Sequence, residues 1–173
     1  MSPDIRIATA KDAARVAALA RDTFIATFAD INTPEDMAHY IEQAFTVETI
    51  HSELSDTAST FIWAEENGIP AGYAKLYRGD ADDCVTGPRA VELERIYADP
   101  ELIGAGVGKT LLHTCIKLAR GEGFETLWLS VWEHNERAIE FYHRQGFITV
   151  GEHPFMLGTD EQTDRIMQLD LRR

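Results

Sequence analysis

The segment Ile103-Gly104-Ala105-Gly106-Val107-Gly108-Lys109-Thr110 limits what this chain can fold into more than any other. Before it, residues 90–98 alternate with the period of a strand; after it, Val107, Leu111, Cys115 and Leu118 fall on one helical face. A strand that runs through alternate glycines into an amphipathic helix is a strand–turn–helix unit. Glycine reaches backbone conformations closed to other residues. The first N–H groups of a helix have no intrahelical acceptor, so the turn offers donors to an anion. The segment therefore reads as a phosphate cradle. Two familiar cradles do not fit it. A nucleotide P-loop ending in Gly108-Lys109-Thr110 needs glycine at position 103, where Ile stands. The dinucleotide fingerprint needs glycine at position 109, where Lys stands, and usually opens its domain rather than lying mid-chain.

Around this unit the chain reads as alternating elements without a linker, repeat or low-complexity stretch, so a single domain over 1–173 is expected. A short strand at 5–7 leads to Thr9, which caps a helix with Asp12 three residues on. Val16, Ala20, Phe24 and Phe28 form that helix's apolar stripe. Thr33-Pro34-Glu35 starts a second helix running to about Phe45, and a third covers 47–54. Strands are expected at 59–65 and 69–77, joined at Asn67-Gly68, with a loop over 79–89. After the glycine unit come a strand at 126–132, a helix capped by Asn135 and ending before Gly146, and strands at 147–150 and 165–171. An early hairpin and a late strand pair around a strand–helix–strand unit argue an α/β fold with a sheet of mixed direction.

Composition narrows the function classes. The 173 residues carry a formal net charge of −13, which disfavours nucleic-acid binding and suits either a cationic ligand or plain solubility. No apolar run approaches the ~18–20 residues of a membrane span, and the N-terminus lacks a signal-peptide pattern, so a cytoplasmic protein with no membrane role is expected. Cys84 and Cys115 make neither a disulfide framework nor a zinc motif. His113, His134, His143 and His153 lack ligand spacing and read as surface or packing residues, so no metal is expected.

The strand before the cradle carries two carboxylates. By strict alternation Glu92, Glu94, Ile96 and Ala98 share one face, and Leu93, Arg95 and Tyr97 the other. Seven residues separate Asn135 from Tyr142, two turns along one helix face, so a cap amide and a phenol point the same way. Taken alone, these four side chains are compatible with ion pairing, a helix cap and a half-buried tyrosine.

Together the two segments resemble the GNAT superfamily of acetyltransferases. The family's pyrophosphate turn, Gln/Arg-x-x-Gly-x-Gly/Ala, aligns with Ile103-x-x-Gly106-x-Gly108, with Ile in the first place. The second signature, Asn-x-x-Ala-x-x-Phe/Leu-Tyr-x-x-x-Gly-Phe, is complete in Asn135, Ala138, Phe141, Tyr142, Gly146 and Phe147. The resemblance covers about residues 55–171. It implies a mixed, mostly antiparallel central sheet flanked by helices, and acetyl-coenzyme A as co-substrate. It also implies cofactor contacts from Ile96, Tyr97 and Ala98, from the turn Ile103, Gly104, Ala105, Gly106, Val107, Gly108 and Lys109, and from Asn135, Arg137 and Ala138. Lys109, Arg137 and Arg144 are candidates for the 3′-phosphate.

The chemistry the resemblance implies needs a base and an acid. An alkyl amine has a pKa near ~10.4, so about one in ~2,500 molecules is neutral at pH 7, and only the neutral amine attacks a thioester. Glu92 or Glu94 would take the proton, and Tyr142 would protonate the leaving thiolate. The tail over 151–167 resembles the Pai-type spermidine/spermine N-acetyltransferases, which implies a polyamine acceptor. Asp30, Glu35, Asp36, Asp80, Asp82 and Asp83 suit a polycation and equally suit solvated loops. A regulatory protein that senses acetyl-coenzyme A or polyamines on the same fold is the alternative, and a homodimer is left open.

Overall fold

In the computed structural model, which describes residues 2–173, Asn67 and Gly68 take φ of 53° and 78° and turn strand β2 (Ser59–Glu66) back into β3 (Ile69–Tyr77). The other strands are β1 (Asp4–Ile7), β4 (Ala90–Ala98), β5 (Thr126–Trp132), β6 (Ile148–Leu157) and β7 (Asp160–Asp170). They form one seven-stranded sheet in the order β1-β2-β3-β4-β5-β7-β6. Every neighbouring pair is antiparallel except β4 and β5. Those two are joined through helix α4 (Val107–Gly121), as a parallel pair requires a crossover. The sheet is thus mixed and mostly antiparallel, as the resemblance implied.

Helices α1 (Ala13–Phe28), α2 (Pro34–Ala44) and α3 (Val47–Ser55) cover one face, and α4 with α5 (Glu136–Arg144) covers the other. Each face has its own core. Val16, Ala20, Phe24, Met37 and Ile50 pack on Phe61, Trp63 and Tyr73. Leu111, Leu112, Cys115 and Ile139 pack on Ile62, Ala74, Leu93, Leu127 and Leu129. The expected N-terminal capping survives in a modified form: the Thr9 N–H donates to Asp12 Oδ2 at 2.8 Å across a 3₁₀ turn that precedes α1. At α2 the Thr33 hydroxyl accepts from the Asp36 N–H at 3.1 Å, ahead of Pro34 in the first turn.

Two expectations are corrected. The last two strands are far longer than 147–150 and 165–171, and pair from Ile148↔Gln168 to Leu157↔Asp160. Gly151 and Pro154 interrupt the strand pattern in sequence. Gly151 sits at a register shift, and Pro154 lies on β6, an edge strand, where a residue without a backbone donor is tolerated.

The second correction concerns β4. Lys75 pairs with Arg95 but Leu76 pairs with Leu93, so Glu94 is an extra residue in a bulge. Alternation is reset there. Glu92, opposite Tyr77, shares the face of Arg95 and Tyr97, whereas Ile96 and Ala98 pack with the α4 core.

Helix α4 lies so close on β3 that Gly72 has no room for a side chain: a Cβ there would stand 2.7 Å from the Tyr97 carbonyl oxygen and 3.0 Å from Val107 and Leu111. Gly72→Ala is expected to lower stability by about 1–3 kcal/mol, read as a lower urea midpoint at unchanged slope. An unchanged midpoint would mean that the helix can lift off the strand at no cost.

Candidate active site

Strands β4 and β5 are hydrogen-bonded only at their beginnings. Ala90, Val91 and Glu92 pair with Thr126, Leu127 and Trp128, and then the strands part. The opening is a cleft of about 1030 Å³ lined on one side by Glu92 to Ala98 and on the other by Leu129 to Trp132. Because β4 is paired on its other edge with β3 and β5 with β7, the edges facing the gap are those left without a strand partner. Backbone donors and acceptors of an extended, amide-bearing ligand fit such a slot as a strand would.

The glycine turn closes one end of the cleft. Gly104 and Gly106 have φ of 92° and 88°, where side chains with a Cβ are strained. The first intrahelical bond of α4 runs from the Thr110 N–H to the Gly106 carbonyl at 3.0 Å, which leaves the N–H groups of the first turn free to meet an anion. Ile103, Gly104, Gly106, Val107, Gly108 and Lys109 all line the cleft. Ala105 does not; its N–H bonds the Leu102 carbonyl at 3.0 Å and shapes the turn instead. Ile103 is 49% exposed at the mouth. Lys109, Arg137 and Arg144 border the same mouth, with Arg144 paired to Glu140.

The two carboxylates of β4 have different surroundings. Glu94 forms an ion pair with the buried Lys75 ammonium, which also contacts Glu53 Oε2 at 3.2 Å; Glu53 in turn holds Arg95 at 2.7 and 3.0 Å. Glu92 is half-buried in the cleft, and burial first, then the neighbouring Glu94 charge, push its carboxyl pKa up to about 7. Lys75 and His153 pull it partly back.

Across the gap, Asn135 caps α5, its Oδ1 accepting from the Ala138 N–H at 3.2 Å. Tyr142 is 8% exposed, packs against Phe141 and Phe147, and lines the cleft with Asn135, Arg137 and Ala138. Burial, then Tyr97 and Cys115, hold its hydroxyl above the ordinary phenol range, so it stays protonated at neutral pH.

The α1–α2 side of the cleft is aromatic, a feature not foreseen in the sequence beyond the helical stripe. Phe24 lies 4.7 Å from both Phe28 and Tyr40; Tyr40 meets Phe155 at 5.9 Å, and Phe28 meets Trp132 at 6.4 Å. These rings come from α1, α2, β5 and β6, so only the fold gathers them.

The structure also redistributes the polar groups. Of the four histidines read as surface or packing groups, His153 lines the cleft: its Nδ1 is 2.6 Å from Asp82 Oδ2, and its Nε2 is 3.5 Å from Ser130 Oγ. His113 contacts Gln145, and His143 contacts the Phe147 carbonyl. Asp36 anchors the β6–β7 turn through Thr159. Besides the β4 glutamates and Glu140, the acid that lines the cleft is Asp164, which the sequence reading passed over. Among the described residues no group of three or more His, Cys, Asp or Glu is arranged to hold a metal, and no helix is long and apolar enough to cross a membrane.

Comparison with known proteins adds lineage. The profile of the acetyltransferase (GNAT) family matches residues 17–147. An uncharacterized N-acetyltransferase of Lactobacillus delbrueckii subsp. lactis is 37% identical over 158 residues, covering 91% of each chain. A spermidine N(1)-acetyltransferase of Thermoplasma acidophilum is 26% identical over 151 residues, covering 85% of this chain and 89% of that one. In solved structures, the PaiA N-acetyltransferase of Thermoplasma acidophilum in complex with coenzyme A superposes with a TM-score of 0.78 at 24% identity, covering 98% of this chain and 99% of the other.

A carboxyl raised from 4.5 to about 7 binds its proton more tightly in the folded state, so the ionised form costs stability above that window and nothing below it. Glu92→Gln is expected to raise Tm at about pH 8 and to leave it unchanged at about pH 4, in thermal unfolding followed by circular dichroism. Equal Tm values at the higher pH would mean that water solvates the carboxylate fully.

Proposed function

The chain belongs to the GNAT acetyltransferase family and is an N-acetyltransferase, and from that footing we propose that it uses acetyl-coenzyme A to acetylate a primary amine of a polyamine. The observation that carries the reading is Glu92, a half-buried carboxyl of pKa about 7 in the cleft where β4 and β5 part. A base poised near neutral pH is what an ammonium substrate requires.

The donor fits the residues present. The free N–H groups at the start of α4 and the turn through Gly104 and Gly106 would hold the pyrophosphate, with Lys109, Arg137 and Arg144 near the 3′-phosphate. The edge of β4 over Ile96, Tyr97 and Ala98 would pair with the pantetheine amides, and Asn135 would face them from α5. Bound there, acetyl-coenzyme A supplies an electrophilic thioester carbonyl. Glu92 accepts one proton of the ammonium, the neutral amine attacks, Tyr142 gives its hydroxyl proton to the departing sulfur, and the second proton, shed by the nitrogen as the amide forms, restores the Tyr142 phenol while Glu92 releases its own to solvent. Glu94, held in an ion pair by Lys75, lies beside Glu92, and its charge adds to the burial that raises the Glu92 pKa. The aromatic wall suits an alkylammonium chain through cation–π contact and apolar burial. The spermidine enzyme among the relatives and the net charge of −13 point the same way.

Thiol release from acetyl-coenzyme A, measured with spermidine, spermine, a diamine, an aminoglycoside and a peptide amine, is expected to favour the polyamines. Turnover restricted to another acceptor would keep the enzyme and remove the polyamine assignment; stabilisation by the cofactor without turnover would point to a sensor. The kcat/KM profile is expected to rise through a pKa near about 7 and to lose that inflection in Glu92→Gln. Tyr142→Phe is expected to lower kcat roughly 10- to 1000-fold while the affinity for acetyl-coenzyme A stays the same. Unchanged turnover would remove Tyr142 from proton transfer.

A further inference from the structure

Strand β7 carries two acceptor groups on residues that line the cleft, and among the described residues neither has a hydrogen-bond donor. Asp164 is 9% exposed and lines the cleft, and among the described residues its carboxylate takes no hydrogen bond and no ion pair. The histidine opposite it on β6, His153, has Nδ1 occupied by Asp82 and Nε2 turned to Ser130. Arg95, the cation on this side of the cleft, is taken by Glu53. Two residues before Asp164, and so on the same face of β7, Gln162 has a buried Oε1 without a partner. Its Nε2 donates to Asn32 Oδ1 at 2.8 Å and Asp160 Oδ2 at 3.0 Å, which fixes the orientation of the amide. Phe28, Tyr40, Trp132 and Phe155 border the same part of the cleft.

A buried carboxylate and a buried carbonyl oxygen, both without donors, are costly to keep. Burial accordingly raises the Asp164 pKa, with His153 opposing. The ligand chemistry that compensates both is a group with several N–H donors, a positive charge and an alkyl stem that tolerates aromatic walls: a protonated amine.

Its location excludes the reacting amine. Asp164 pairs with Trp132, whereas Glu92 is level with Trp128, four residues earlier on β5. At ~3.3 Å per residue that is roughly 13 Å along the strand. We propose that Asp164 and Gln162 Oε1, between the rings of Phe28, Tyr40, Trp132 and Phe155, form a second-cation subsite that seats a charged amine of the acceptor remote from the one being acetylated. The subsite rests on the amine-acceptor reading above and sets a minimum length for the acceptor. Within a series of α,ω-diamines, KM falls once the chain spans from the thioester to β7.

The test is calorimetric titration of spermidine into the protein saturated with coenzyme A, for the wild type, Asp164→Asn and Gln162→Leu. Asp164→Asn is expected to weaken spermidine binding by roughly 10- to 100-fold and Gln162→Leu by less. The affinity for coenzyme A stays unchanged, and Tm at about pH 8 rises in Asp164→Asn because an uncompensated charge is gone, which also certifies the fold. In turnover, the preference for spermidine over n-butylamine falls by the same factor. Equal spermidine affinity in Asp164→Asn, or no binding of spermidine to the wild type at millimolar concentration, would overturn the subsite. Asp164-dependent binding without acetylation of any amine would support the subsite while refuting the catalytic reading.

Discussion

Three residues of parallel pairing hold β4 to β5, and the cleft follows from where that pairing stops. A fully zipped pair would satisfy its own backbone groups and leave a closed sheet. Parting after Glu92 and Trp128 turns two strand edges toward each other across a gap wide enough for a ligand. The gap is held open because each strand is anchored elsewhere: β4 along β3, β5 along β7, and α4 packed against β3 at Gly72. The two cores on opposite faces brace this wedge, so the cleft runs through the sheet, with the glycine turn on the α4 side and the aromatic wall on the α1–α2 side.

The bulge at Glu94 decides the chemistry of the cleft. By shifting the register one residue, it brings Glu92 onto the face of Tyr97 and leaves Glu94 to meet Lys75. Two carboxylates two residues apart on one strand thereby acquire different surroundings. One is neutralised in a network with Lys75, Glu53 and Arg95, and the other is partly buried beside it and holds its proton to about pH 7. Burial and a neighbouring like charge act in the same direction on Glu92, which is how a carboxyl becomes a useful base at neutral pH.

Much of the frame was legible in the chain. Local signals were sufficient wherever a few neighbouring residues dictate backbone shape: Asn67-Gly68 in the hairpin, Thr33-Pro34 at the start of α2, the glycines before α4, and Asn135 as the cap of α5. The errors fell where neighbours across the sheet take over. Pro154 and Gly151 look like strand breakers until β6 is seen to be an edge with a register shift. His153 reads in sequence as a surface or packing residue, and its packing partner, Asp82, is 71 residues away in the chain and 2.6 Å from its ring.

The sequence by itself therefore determined the lineage, the order of elements, the glycine turn before α4 and the phenol on α5, because each is written in residues close together in the chain. Only the tertiary structure decided which glutamate pairs with Lys75, where the aromatic wall stands, and that Asp164 and Gln162 line the cleft with acceptors that have no donor among the described residues. Those properties arise from register across β3, β4, β5, β7 and β6 and from burial. Neither exists until distant segments of the chain are brought together.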